Sequence, residues 1–194
     1  MYILENVKPD GRFKRSARSR SDIVTAMADL MEEGVYVPTA QQVADKANIS
    51  IRTVFRHFSD MDSLYKEVDQ FIKPGYEKDF AKQDPNGSLE QRIIHLINFR
   101  VEGFYHNIQT IKATKTLVWR STFLKENYHR KQTKLRKLLI LQFPELKDKN
   151  AQLLEMVDGL TSFEAFDRLY THQKLSIEEC KEILIVQLKM LLLN

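Results

Sequence analysis

Apolar residues along this chain recur every three to four positions, and that period predicts helices almost throughout. Ile23, Ala26, Met27, Leu30 and Met31 fall on one face of a helix expected over Ser19 to Glu33. Ser19 or Ser21 can cap it, and Gly34 ends it. Val35-Tyr36-Val37-Pro38 then reads as extended, because the residue before proline avoids the helical region. Thr39 opens a second helix. Its spacing to Gln42 is that of a capping box, in which each residue satisfies a backbone N–H of the other. Val43, Ala44 and Ala47 form its buried side, small enough for another helix to cross closely. Asn48-Ile49-Ser50 reads as a tight turn. Asparagine tolerates the left-handed conformation, and Ser50 can cap a third helix. In that helix Ile51, Val54, Phe55 and Phe58 share the packing face, Arg52, Thr53 and Arg56 point away, and His57 sits at the boundary. A fourth helix starts at Ser59 or Asp60 and carries Met61, Leu64, Tyr65, Val68, Phe71 and Ile72 up to Pro74-Gly75.

Beyond it, Tyr76 to Ser88 reads as a loop with a strong turn at Asp84-Pro85-Asn86-Gly87. Ser88 and Gln91 form another capping box. The stripe Leu89, Ile93, Leu96, Ile97, Val101, Phe104 follows, broken by His95, Arg100 and Glu102. Helices near Ile108–Val118 and Thr122–Phe143 carry Trp119, Phe123 and Tyr128 among many basic residues, until Pro144 stops them. Asn150 to Tyr170 is strongly apolar, and Ser176 caps a last helix whose Glu178 and Glu179 favour its N-terminal dipole. Two helices this apolar can fold inward within one chain or pair with a second copy. The expectation is a four-helix bundle between two copies, seamed by Leu153, Val157, Leu160, Ile183, Leu184, Leu188 and Leu191.

Composition narrows the class to all-α. Of 194 residues 43% are hydrophobic, while only 6 glycines and 5 prolines interrupt the pattern and strand-favouring runs are absent. A single cysteine, Cys180, excludes a disulfide framework and a cysteine-based zinc site, and suits a reducing cytoplasm. The N-terminal stretch lacks the apolar core of a secretory signal, and no apolar run reaches the roughly 18 residues of a membrane span. A soluble, intracellular chain without cofactor or metal is expected. The net charge of +4 is a mild hint of an anionic partner, and its distribution says more. Lys8, Arg12, Lys14, Arg15, Arg18 and Arg20 face one acid, Asp10. Residues 1–18 therefore read as a basic flexible arm, either a solvated tail or one that reaches nucleic-acid phosphates. A second basic stretch runs from Lys112 to Lys137, and the segment from Glu155 to Glu182 leans acidic.

A helix, a tight turn and a short helix with an arginine-bearing outer face suit major-groove recognition. Arginine can grip guanine through two hydrogen bonds, and threonine can meet a thymine methyl or a phosphate. The stretch Ser50-Ile51-Arg52-Thr53-Val54-Phe55-Arg56-His57-Phe58, followed by Ser59-Asp60-Met61-Asp62-Ser63-Leu64, resembles the signature of the tetracycline-repressor (TetR) family of bacterial transcriptional regulators. The match is detailed over about residues 20–70 and extends in outline to the rest. The resemblance implies an all-α fold of about nine helices. A three-helix DNA-binding head (residues 19–60) is joined through the fourth helix to a ligand-binding and dimerisation body (61–194). It implies a homodimer on a palindromic double-stranded operator, released by an unknown small molecule, in the bacterial cytoplasm with the nucleoid. Thr39, Ser50, Ile51, Arg52, Thr53, Arg56 and His57 are the expected DNA contacts, and Arg100, Phe104, Trp119 and Phe123 the candidate ligand contacts. Phe55 stands where the family usually has a tyrosine, Met61 where it favours lysine, Asn48 where the turn usually has glycine, and Arg52 where the residue is often small.

Two other readings stay open at this level. One is a ligand-independent or architectural DNA-binding protein. The other is an all-α enzyme, for which no catalytic residues stand out. There is no H-E-x-x-H, no G-x-S-x-G and no glycine-rich phosphate loop, and His57, His95, His106, His129 and His172 are scattered.

Overall fold

Hydroxyl side chains start most of the helices in the way the spacing predicts. In a computed structural model describing residues 11–80, 86–148 and 151–193, Thr39 and Gln42 form the capping box of α2 (Ala40–Lys46). Ser88 with Gln91 and Ser176 with Glu179 do the same for α5 (Leu89–His106) and α11 (Ile177–Leu192). Ser50 caps α3 (Ile51–His57), and Ser121 caps α7 (Thr122–Gln142). The remaining elements are α1 (Gly11–Glu32), α4 (Met61–Phe80), α6 (Ile108–Leu117), α8 (Glu145–Asp148), α9 (Ala151–Leu160) and α10 (Phe163–Asp167). A single π-helical turn, Arg168–His172, continues α10. The described residues are all-helical, with an N-terminal helix-turn-helix and a helical body.

Several boundaries differ from expectation, among them the single helix expected over Asn150 to Tyr170, which breaks at Thr161-Ser162 into α9 and α10 because Ser162 caps a new helix. α1 begins at Gly11 rather than near Ser19, so Lys14, Arg15 and Arg18 stand on exposed helical turns. The expected flexible arm is therefore helical from residue 11 onward, and residues 1–10, with Lys8, lie outside the described residues. The basic residues there are good helix formers, and nothing within 11–18 breaks a helix. A further difference is α4, which runs through Pro74 to Phe80 instead of ending at Pro74-Gly75. Proline costs a helix one hydrogen bond and crowds the preceding turn. Here the contacts of α4 with α7 span that cost: Lys131 bonds Asp69 and Lys134 bonds Glu77, on opposite sides of the proline. Of the expected turn at Asp84–Gly87, the first two residues lie outside the described residues, and Gly87 adopts φ +105°.

The apolar interior forms two clusters. One joins α1, α2 and α3 through Ile23, Met27, Val43, Ala44, Val54 and Phe58, and continues into Leu64, Tyr65 and Val68 of α4 and Ala113, Leu117 and Leu124 of α6 and α7. The head core thus crosses the boundary expected at residue 60, because a three-helix head of this size cannot close its own apolar surface. The second cluster packs α5 between α11, α9 and α10 through Ile93, Leu96, Val101, Phe104, Val157, Phe163, Phe166, Leu184 and Leu188. Two arginines pin α5 inside it. Arg92 bonds the Gln142 carbonyl at 2.6 Å and pairs with Glu145. Arg100 bonds the carbonyls of Thr161 at 2.7 Å and Leu135 at 3.0 Å.

The expected dimer seam is corrected by this packing. Val157, Leu184 and Leu188 are buried within the single chain, and Leu153, Leu160 and Leu191 pack partly against the same core. Helix α11 is apolar over more than one face. Its inner stripe meets α5, leaving Val186, Met190 and Leu193 outside, together with Met156 of α9. Ile183 is part-buried at the edge between the two faces.

Candidate nucleic-acid interface and body cavity

Asn48 makes the helix-turn-helix bend at φ +53°, the left-handed region that asparagine tolerates better than most side chains. Its N–H bonds the Asp45 carbonyl at 3.1 Å, and Ile49 N–H bonds Ala44 at 3.0 Å, so the turn is closed by backbone bonds. Asn48→Gly should keep or slightly raise the melting temperature, whereas Asn48→Val should cost about 1–2 kcal/mol, readable by chemical denaturation. A fall for the glycine variant as large as that for valine would show that the asparagine side chain, not its backbone freedom, holds the turn.

Ser50 then caps α3. Its Oγ accepts from Thr53 N–H at 3.2 Å and lies 2.9 Å from Thr53 Oγ1, so both hydroxyls are held at the exposed start of the helix. The side chains of α3 divide differently from expectation. Val54 and Phe58 are buried, but Ile51 is exposed and Phe55 is 50% exposed. At about 100° per residue, Ile51, Phe55, Arg52 and Arg56 fall within one arc of about 140°. The period places 51, 54, 55 and 58 together. The wall formed by α1 and α2 covers only the Val54–Phe58 side of that set. The outer face is therefore two apolar side chains beside two arginines. Thr39, at the start of α2, is exposed as well.

His57 does not join this face as a cation. Burial, then the nearby charges of Arg56 and Arg20, hold its pKa below the usual histidine value, so it is neutral near pH 7. Its Nε2 is buried without a hydrogen-bond partner, and its carbonyl accepts from Arg20 at 2.8 Å. Arg20 also pairs with Glu67 at 3.0 Å and lies 4.4 Å from the Phe58 ring centroid. Counted by sequence among the basic residues of the arm region, it is a bracket that ties α1 to the end of α3 and to α4. No period in the sequence points to that role.

In the body, a cavity of about 80 Å³ lies among α4, α5, α6, α7 and α10, lined chiefly by apolar and aromatic groups such as Tyr76, Phe104, Tyr128 and Phe163. Of the four candidate ligand residues, Phe104 lines it. The other three lie elsewhere. Arg100 is a buried strut next to it, its pKa lowered by burial to about 10. Trp119 is 78% exposed with Arg120 over its ring, and Phe123 packs on the head cluster with Lys66 over its ring. Sequence marks these residues as unusual in apolar surroundings but carries no signal for which cavity each meets. Tyr76 and Lys131, which do line the cavity, fell in an expected loop and in a charge run.

Among the described residues no cluster of histidine, cysteine or acidic groups could hold a metal ion, and no helix is long and apolar enough to cross a membrane. Comparison with known proteins adds two findings. Residues 23–68 match the profile described as bacterial regulatory proteins, tetR family. The fold is similar to the crystal structure of a transcriptional regulator from Rhodococcus sp. Rha1, with a TM-score of 0.66 at 21% identity over 90% of this chain and 96% of that one. No curated protein matches.

Proposed function

This chain belongs, through residues 23–68, to the tetR family of bacterial regulatory proteins, and from that premise we propose a repressor that binds a palindromic operator as a dimer and is released by a small molecule. DNA-binding transcriptional regulation is the function the family assigns. The observation that carries the finer reading is the outer face of α3, where Arg52 and Arg56 stand exposed beside Ile51 and Phe55 on a helix held by the Ser50 cap and the Asn48 turn. Arginine reads guanine edges, and apolar side chains meet thymine methyls, so a face carrying both suits a mixed half-site. Thr39, Ser50 and Thr53 offer hydroxyls for phosphates, and Arg15 and Arg18 add charge along α1. In this reading residues 19–60 form the DNA-binding domain and 61–194 the body that binds ligand and partner, in the bacterial cytoplasm.

Footprinting on the intergenic DNA beside the gene tests the operator. One protected palindrome, with affinity falling steeply as salt rises, is the expected result. Weak protection of any sequence would favour an architectural protein instead.

An exposed apolar strip supports the dimer. Val186 and Met190 of α11 and Leu193 at its C-cap follow one another at helical spacing, and Met190 is 65% exposed. Gly159 of α9, also exposed, leaves open space above its backbone for a close approach. Val186→Glu with Met190→Glu should convert the dimer to a monomer of half the mass by light scattering and weaken palindrome binding at least tenfold, with helix content unchanged. An unchanged dimer would move the interface off this strip.

A further inference from the structure

Lys131 sits where two cavities meet. The larger, described above, and a neighbour of about 50 Å³ share Tyr76, Lys131 and Leu135 in their walls. The Lys131 ammonium lies 2.7 Å from Asp69 Oδ1 and 4.3 Å from the Tyr76 ring centroid, both on α4. Asp69 lines neither cavity, so the charge that faces this space from the ion pair is the cation. A second positive charge lies close by. Arg100 is buried, and its three hydrogen bonds go to the Thr161 carbonyl, the Thr161 hydroxyl and the Leu135 carbonyl, all neutral oxygens. Its Nε has no partner, and Leu135 itself lines both cavities.

The acids near this space are already engaged. Glu164 takes Lys115 at 2.6 Å and the Tyr128 hydroxyl at 2.9 Å, and Glu77 takes Lys134 at 3.3 Å. Lys131 is thus the cation placed in the wall of this space, in surroundings too apolar to screen it well once its acid partner is displaced. The walls are largely apolar and aromatic, and only the two lobes together, of about 80 and 50 Å³, approach the roughly 150 Å³ of an apolar cavity that holds one benzene ring.

We propose that the effector is a small aromatic carboxylate whose ring occupies the apolar space of these cavities against the contacting rings of Phe104 and Phe163 and whose carboxylate takes Lys131 from Asp69. This rests on the ligand-responsive reading and adds the ligand class and the latch. Asp69 follows Val68, which is part of the head core, so α4 carries the exchange to the helix-turn-helix. With the ligand bound, the Asp69–Lys131 tie between α4 and α7 opens. Without it, the tie holds α4 in the geometry seen here.

The test uses the full-length chain and three acids, benzoate, phenylacetate and salicylate, each against its neutral amide, with binding followed by calorimetry and operator affinity by fluorescence anisotropy. At least one acid should bind about tenfold or more tighter than its amide and lower operator affinity. Lys131→Met should erase the preference for the acid. Asp69→Asn, which frees Lys131 of its competitor, should tighten acid binding severalfold. Helix content by circular dichroism checks that both variants fold. Equal binding of acids and amides, no binding of any acid, or an Asp69→Asn variant that binds acid more weakly would each overturn the proposal. A screen of neutral metabolites in the same anisotropy assay separates the two levels. Release of operator by a neutral compound alone would sink the carboxylate and keep the ligand-responsive regulator, whereas acid binding at Lys131 with operator affinity unchanged would sink the latch.

Discussion

Replacing Arg52 and Arg56 together by alanine should abolish sequence-specific operator binding while leaving the fold intact. Both side chains are exposed and neither helps to close the head core, so their removal costs little stability. Each arginine that grips a guanine contributes about 1–3 kcal/mol of discrimination, so the pair accounts for roughly 30- to 10⁴-fold in affinity at each half-site. Each single variant should lose part of that at one position of each half-site, and the loss doubles on a dimer because the face occurs twice. Phe55→Ala should behave differently. It removes apolar contact and no charge, so it should weaken discrimination for thymine while leaving the salt dependence as in the parent. Titrations at several salt concentrations on operators altered one base pair at a time separate these effects. Unchanged specificity in the double variant would show that this face of α3 does not read the bases.

The second large effect is on stability. Arg100→Ala should lower the unfolding free energy by about 4 kcal/mol, since it empties a long buried side chain and strips the Thr161 and Leu135 carbonyls of their donor. For a chain of this size that is a fall of about 10 °C in the melting midpoint. Arg100→Met should recover much of the loss. Burial pushes the Arg100 pKa down from its ordinary value to about 10, so the fold disfavours the charged form. Near neutral pH the group stays protonated in both states, and the fold carries the cost of holding that charge. Methionine fills similar volume and carries no charge to desolvate. A methionine variant as unstable as the alanine one would show that the hydrogen bonds of Arg100, rather than its bulk, hold α5, α7 and the Thr161 turn together.

Arg100 also marks where sequence reading stops. Its place in an apolar stripe shows that something must satisfy it, but two of its three acceptors are backbone carbonyls, 35 and 61 residues away, and the third is the hydroxyl of the same Thr161. Carbonyls have no side-chain signature, so the partner could not be inferred. Arg20 is a similar case. Read as part of a basic run, it meets His57, Glu67 and the Phe58 ring only because α1, α3 and α4 converge. The caps belong to the opposite group. Thr39, Ser50, Ser88 and Ser176 bond groups three residues away, a distance local sequence encodes directly.

The same division runs through the helix-turn-helix. Its helices, its turn and its arginines were legible because each depends on a neighbour within four positions. The exposure of Ile51 and Phe55 was not, since periodicity gives the angle of a side chain around its helix but not the width of the wall it meets. For the same reason α11 showed an apolar helix with more than one greasy side, while only packing on α5 decided that Leu184 and Leu188 turn inward and Val186 and Met190 outward. The sequence by itself determined most of the helices, their caps, the helix-turn-helix and the match of residues 23–68 to tetR-family proteins. The tertiary structure alone decided which apolar faces are used up within one chain, which arginines are struts, and that Lys131 faces a cavity. Those depend on contacts between residues far apart in the chain, and no local pattern encodes them.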